Sequence, residues 1–175
     1  LTIAIVVAAG GLADATPAQA EPPAAVAARF FTALEARDPA ALRALLAPEA
    51  TNVLPYTASG DTAPAAMRRF EGRGQVMGYF TGALERIAEV RFTDSETVVG
   101  SDGVSVVVEN RGDMVLADGR AYRNHYVWRL RVEDGRITAI REFFNPVTAA
   151  LAFGRPLGPS ELRQPSARAA ARAAL

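Results

Sequence analysis

Residues 121–145 read AYRNHYVWRLRVEDGRITAIREFFN, and this stretch decides the fold. From Tyr122 to Val132 the even positions are Tyr122, Asn124, Tyr126, Trp128, Leu130 and Val132, while the odd ones are Arg123, His125, Val127, Arg129 and Arg131. Alternation of this kind is the period of a strand with one buried face, so the even set is predicted to point inward and the charged set outward. Asp134-Gly135 is a hairpin turn signal, and Arg136–Asn145 reads as the returning strand. The returning strand offers two faces: Thr138, Ile140, Glu142 and Phe144, or Ile137, Ala139, Arg141 and Phe143. Pairing alone leaves open which one points inward.

Working upstream, Val104–Met114 and Val90–Val99 alternate in the same way, with turns at Ser101-Asp102-Gly103 and Asp118-Gly119. Before them the hydrophobic period is 3.6. Val26, Phe30 and Leu34 form a stripe after Pro22-Pro23. Asp38 with Pro39 opens a second helix carrying Leu42, Leu45 and Leu46, which Pro48 is expected to stop. Ala50–Tyr56 reads as extended and residues 57–70 as a polar loop. A third helix follows Glu71-Gly72-Arg73-Gly74, with Val76, Tyr79, Phe80, Ala83, Leu84 and Ile87 at helical spacing. Three helices and an antiparallel meander predict an α+β domain in which the helices cover one face of a curved sheet.

Composition narrows the chemistry. The 175 residues are 50% hydrophobic and 22% charged, the balance of a globular chain. The 19 basic residues, all Arg, cancel 19 acidic ones, so no net field draws the chain to nucleic acid or an anionic membrane. Without Lys there is no lysine Schiff base, and without Cys no disulfide, thiolate nucleophile or Cys-ligated metal. The single histidine, His125, excludes a multi-His metal site within one chain and by parity lies on the outer face. Neither a cofactor nor a metal is expected.

The two ends read differently from the middle. In residues 1–20, Leu1–Ala9 is a short apolar run and Ala18-Gln19-Ala20 a small-x-small cleavage pattern, as in a secretory signal peptide. The expected location is therefore secreted or periplasmic, with no membrane insertion after cleavage, since the run is too short to span a bilayer. Residues 155–175 are a Pro- and Ala-rich tail. The domain proper is expected over 21–154.

Leu54-Pro55-Tyr56, Phe70-Glu71-Gly72-Arg73, Tyr122-Arg123-Asn124-His125-Tyr126-Val127-Trp128, Asp134-Gly135-Arg136-Ile137 and Arg141-Glu142-Phe143-Phe144-Asn145-Pro146, in that order and spacing, resemble the SnoaL-like branch of the nuclear-transport-factor-2-like superfamily. The resemblance covers roughly residues 26–154 and implies a cone-shaped domain whose sheet and three N-terminal helices enclose a pocket, commonly in a homodimer joined through the outer sheet face. Relatives include polyketide cyclases, ketosteroid isomerases, limonene-type epoxide hydrolases and binding proteins, so the fold alone does not fix the function. Glu142 matches the acid/base carboxylate of the epoxide hydrolases' last strand. The Arg-x-Asp pair of their preceding strand is not evident, and Asn124-His125-Tyr126 stands there instead.

If the Glu142 face points inward, the carboxyl shares an enclosure with Asn124 and Tyr126, and desolvation raises its pKa into the range of a general base or acid. Glu142 is thus the candidate catalytic residue, with Tyr56, Asn124, Tyr126 and Trp128 as candidate ligand-binding residues. Two functions follow. One is cofactor-independent acid/base catalysis (isomerase, cyclase or hydrolase type) on a small apolar molecule. The other is a non-catalytic pocket that binds such a molecule, favoured by the incomplete match to any one enzyme branch.

Overall fold

The computed structural model describes residues 21–61 and 63–157; the leader at 1–20 and residues 158–175 of the tail lie outside the described residues. Helix α1 (Pro23–Glu35) starts on prolines and buries Val26, Phe30 and Leu34. Helix α2 (Pro39–Leu45) is capped by Asp38, whose carboxylate accepts from Ala40 N and Ala41 N at 2.9 and 3.0 Å. Strand β1 (Leu46–Leu54) follows without a break. Pro48 was expected to stop the second helix but sits inside this strand. It is tolerated where the pairing of β1 with its neighbour is irregular, between Leu46 and Thr51. The expected polar loop contains a single 3-10 turn (Pro64–Ala66) and a short strand, β2 (Arg68–Glu71).

Helix α3 (Gly72–Leu84) is one turn shorter than its apolar stripe. Ile87 belongs instead to β3 (Ile87–Glu89) and reaches the same core from the sheet. Then come β4 (Phe92–Val99), β5 (Ser105–Leu116), β6 (Ala121–Glu133), β7 (Arg136–Phe144) and a short α4 (Pro146–Ala152), absent from the sequence reading. Asn145 caps α4 by accepting from Val147 N and Thr148 N at 3.0 and 3.3 Å.

The sheet order is β2-β1-β7-β6-β5-β3, with β4 also on β5, so β3 and β4 run one after the other along one edge. Every pair is antiparallel except β1–β7, which is parallel; the sheet is mixed rather than wholly antiparallel. The chain leaves β1 through β2 and α3 and returns to it only with its last strand, and that return runs the same way as β1.

Burial in β6 alternates without exception from Ala121 to Val132, with the even residues inside and His125 outside. In β7 neither of the two faces offered by the sequence runs inward unbroken. Arg131 pairs with Ala139 and Val132 with Ile137, so Thr138 is an extra, bulged residue. Its hydroxyl donates to Glu133 Oε2 at 2.8 Å, while Ile137, from the other face, is the residue buried inward there. Past the bulge Ile140 and Glu142 face the helices, each under 6% exposed. Phe30, edge-on to Phe31, Phe80 and Trp128, is the centre of the core between α1, α3 and the sheet.

Candidate functional site

Beyond Phe30 the core does not close. A cavity of about 730 Å³ opens between α3, the end of α4 and the concave sheet, within the size range of small-molecule pockets. Its wall is aromatic, including Phe92, Tyr126, Trp128 and Phe144. Two of the three glycines spaced by four on α3, Gly78 and Gly82, line it, and a Cβ at either would meet nothing within 4 Å. Helical glycines cost about 1 kcal/mol each relative to Ala. At these two positions they leave open space beside the α3 side chains that do line the cavity, Tyr79 and Phe80 among them.

Glu142 is the only carboxylate lining this cavity among the described residues. Burial pushes its pKa up from 4.5 to about 7, against the opposing pull of Tyr79, Asn52 and Arg68. The Tyr79 hydroxyl, from α3, donates to Glu142 Oε2 at 2.7 Å. Asn52 on β1 is wholly buried and near enough to favour the charged carboxylate, yet neither atom of its carboxamide makes a hydrogen bond of good geometry among the described residues. Tyr79's own phenol is held well above its ordinary value, first by burial and then by the Glu142 charge, so it remains a donor. The arrangement is a carboxyl group poised near neutrality, with one oxygen held and the surroundings apolar.

A second polar cluster lines the cavity on β6. Tyr126 donates from its hydroxyl to the Tyr122 hydroxyl at 3.1 Å, and Asn124 Nδ2 donates to the same oxygen at 2.9 Å. Tyr122 thus accepts twice, and its own proton has no acceptor among the described residues. A phenol polarised in this way is a strong donor toward any oxygen that enters. Burial raises its pKa, so it too stays protonated.

The sequence-predicted residues divide accordingly. Glu142, Tyr126 and Trp128 line the cavity together. Trp128 presents only its ring, since its indole N–H donates to Asn110 Oδ1 at 3.2 Å. Asn124 points inward but has no capacity left for a ligand. Its nitrogen donates to Tyr122 and Asn145 O, and its Oδ1 accepts from His125 N and Asn145 N. It is a clasp between β6 and the cap of α4. Tyr56 lies outside the cavity, 59% exposed and edge-on to Phe143. The strand ends at Leu54, which does line the cavity, and buried Pro55 breaks the alternation that would have carried Tyr56 inward.

Tyr79, Asn52 and Tyr122 were not singled out from the sequence. Each carried a signal: Tyr79 is a hydroxyl within the apolar stripe of a helix, Asn52 a carboxamide on the Leu54 face of a strand, and Tyr122 a member of the inward set. Among the described residues no group of three His, Cys, Asp or Glu side chains is placed to hold a metal, and no helix is long and apolar enough to cross a membrane.

Residues 27–140 match the SnoaL-like domain family. An uncharacterised PhzA/B-like protein of Pseudomonas aeruginosa is 32% identical over 111 residues, 63% of this chain and 74% of its own length. The uncharacterised protein YesE of Bacillus subtilis is 29% identical over 101 residues, covering 57% of this chain and 65% of that relative, so the match spans just under two thirds of YesE. A solved Bacillus subtilis structure described as that of a proposed isomerase superposes with a TM-score of 0.67 over 79% of this chain and 96% of its own, at 22% identity.

Proposed function

We infer that this chain, which belongs to the SnoaL-like domain family, takes a small apolar molecule into its cavity and moves a proton on it with Glu142. The observation that carries this reading is the buried Glu142 carboxylate in the cavity wall with the Tyr79 hydroxyl on one oxygen at 2.7 Å, where burial raises its pKa to about 7. A carboxylate of that basicity takes a proton from a carbon next to a carbonyl. The electron pair passes to the carbonyl oxygen, where the unspent Tyr122 proton stabilises it. Glu142, now neutral, returns the proton to a different carbon of the same molecule, or the enolate closes on a second carbonyl and Glu142 returns the proton to the alkoxide that forms. Both outcomes balance without a cofactor. A cyclic ketone, steroid-like or terpenoid molecule fits an aromatic wall of this size.

The test is Glu142→Gln against a panel of cyclic ketones and epoxides. Turnover should fall by about 10²- to 10⁴-fold, while binding, read by quenching of Trp128, stays within about threefold. Undiminished turnover rejects Glu142 as the base. Binding of the panel by the unaltered chain with no turnover at all makes it a carrier and rejects the catalytic reading.

A homodimer through the outer sheet face is part of the same proposal. Val107 and Val127 are 38% and 37% exposed there and Val98 is 64% exposed, with Val98 directly opposite Val107. Export is supported by Leu1–Ala9 and Ala18-Gln19-Ala20, and the mass of the mature protein from its host tests it, with cleavage expected after Ala20.

A further inference from the structure

Three arginines from three separate segments meet at the cavity: Arg68 on β2, Arg86 just past α3 and Arg155 just past α4. All three are exposed residues, so they form its rim rather than its floor. The Arg86 and Arg155 guanidiniums lie over the same Phe153 ring, 4.9 and 5.3 Å from its centroid, and Arg68 lies 5.3 and 5.7 Å from the Phe70 and Tyr79 rings. Aromatic faces hold such cations in place while leaving their N–H donors available. The one side-chain hydrogen bond the trio makes among the described residues is Arg86 to Phe153 O, at 3.3 Å.

Five other arginines, Arg29, Arg111, Arg120, Arg123 and Arg131, each have a carboxylate partner, and among the described residues none of these three does. Partial burial first, and then the proximity of Arg68 and Arg86, hold Arg155 below the ordinary arginine value. Three like charges at one opening repel one another, and an anion bound at that opening offsets the repulsion.

We propose that the rim binds an oxyanion, and that the ligand is therefore an amphiphilic acid: an apolar ring body inside the cavity and a carboxylate or phosphate head on Arg68, Arg86 and Arg155. This rests on the reading of the cavity as a ligand site and adds the substrate class. It also sets polarity within the site. The head is fixed at the mouth, and the apolar body reaches the wall that carries Glu142.

The experiment uses the full chain and two matched probes, 2-naphthoate and neutral 2-naphthamide, titrated at pH 6 by calorimetry and Trp128 fluorescence. At that pH the naphthoate is charged and Glu142 is mostly neutral. Naphthoate is expected to bind at least about tenfold more tightly than the amide, and the gap should narrow as salt is raised. In R86Q/R155Q the preference should shrink to about twofold while the amide's affinity is unchanged, which also shows that the variant is folded. 2-Naphthyl phosphate as a third probe distinguishes the two heads, and tighter binding of either anion over the amide upholds the proposal. Equal binding of the acids and the amide overturns it and leaves the apolar cavity standing, as does a preference that survives in R68Q/R86Q/R155Q. Binding of none of the probes overturns both readings.

Discussion

Replacing Glu142 by Gln should make the protein more stable at alkaline pH and barely change it in acid. The folded chain holds the Glu142 proton more tightly than the unfolded chain, with a pKa of about 7 against 4.5. The sign follows. Below about pH 4.5 the group is neutral in both states and costs nothing. As pH rises from about 4.5 to 7 the unfolded chain gains a solvated charge that the folded one resists, and stability falls. Above about pH 7 the deficit is complete. The displacement, at about 1.4 kcal/mol per pH unit, is about 3 kcal/mol. Gln has the same shape, never ionises, and still accepts the Tyr79 hydrogen bond through its carbonyl. Urea unfolding of both proteins, followed by Trp128 fluorescence, should show E142Q more stable by about 3 kcal/mol at pH 8.5 and by less than about 1 kcal/mol at pH 5. Taking the difference between the two proteins cancels every other titrating group. An equal difference at both pH values would refute the reasoning, since it would mean that Glu142 titrates as a solvated carboxylate.

Other expectations can be checked alongside. If Glu142 acts as a base, the pH–rate profile rises through about pH 7. Tyr79→Phe, which removes a donor that favours the charged carboxylate, moves that rise upward by about one pH unit. Asn124→Ala orphans the backbone N–H of Asn145, whose C=O still accepts from Ala149 N at 3.2 Å, and should cost about 1–3 kcal/mol in urea unfolding, with cavity binding weakened only through loosening of Tyr122. Gly112→Ala places a Cβ 2.8 Å from the Tyr126 ring, so near-ultraviolet circular dichroism should change while far-ultraviolet signal does not. Val107→Asp with Val127→Asp should lower the mass measured by light scattering from dimer to monomer, and a monomeric unaltered chain would dispose of the outer-face interface.

The long meander was legible because one rule governs it. Each residue of β6 obeys alternation, so Tyr122, Tyr126 and Trp128 could be placed inward and His125 outward from spacing alone. Glu142 could be named but not oriented, because orientation depends on a bulge at Thr138 that no local signal marks. The helix-to-strand change at Leu45–Leu46 was hidden by apolar residues that suit either element, and Ile87 satisfies a helical stripe and a strand equally well. The site residues that escaped, Tyr79 and Asn52, are contributed by other elements, and their meeting with Glu142 is a fact of tertiary packing. Asn124 could be placed on its face from spacing, whereas its partners Tyr122, His125 and Asn145 are visible only in the complete set of its hydrogen bonds.

The extra residue at Thr138 also bears on how this strand tolerates changes of length. Removing it would leave Ile137, Ala139, Ile140, Arg141 and Glu142 in plain alternation, with Ile137 and Glu142 both still directed at the helices. Taking one residue from between Ile140 and Glu142 would instead shift the downstream frame and turn the acid out into solvent. A single-codon loss is thus harmless to the chemistry at one point of β7 and fatal three residues later, so length variation among descendants of this gene should collect at the kink.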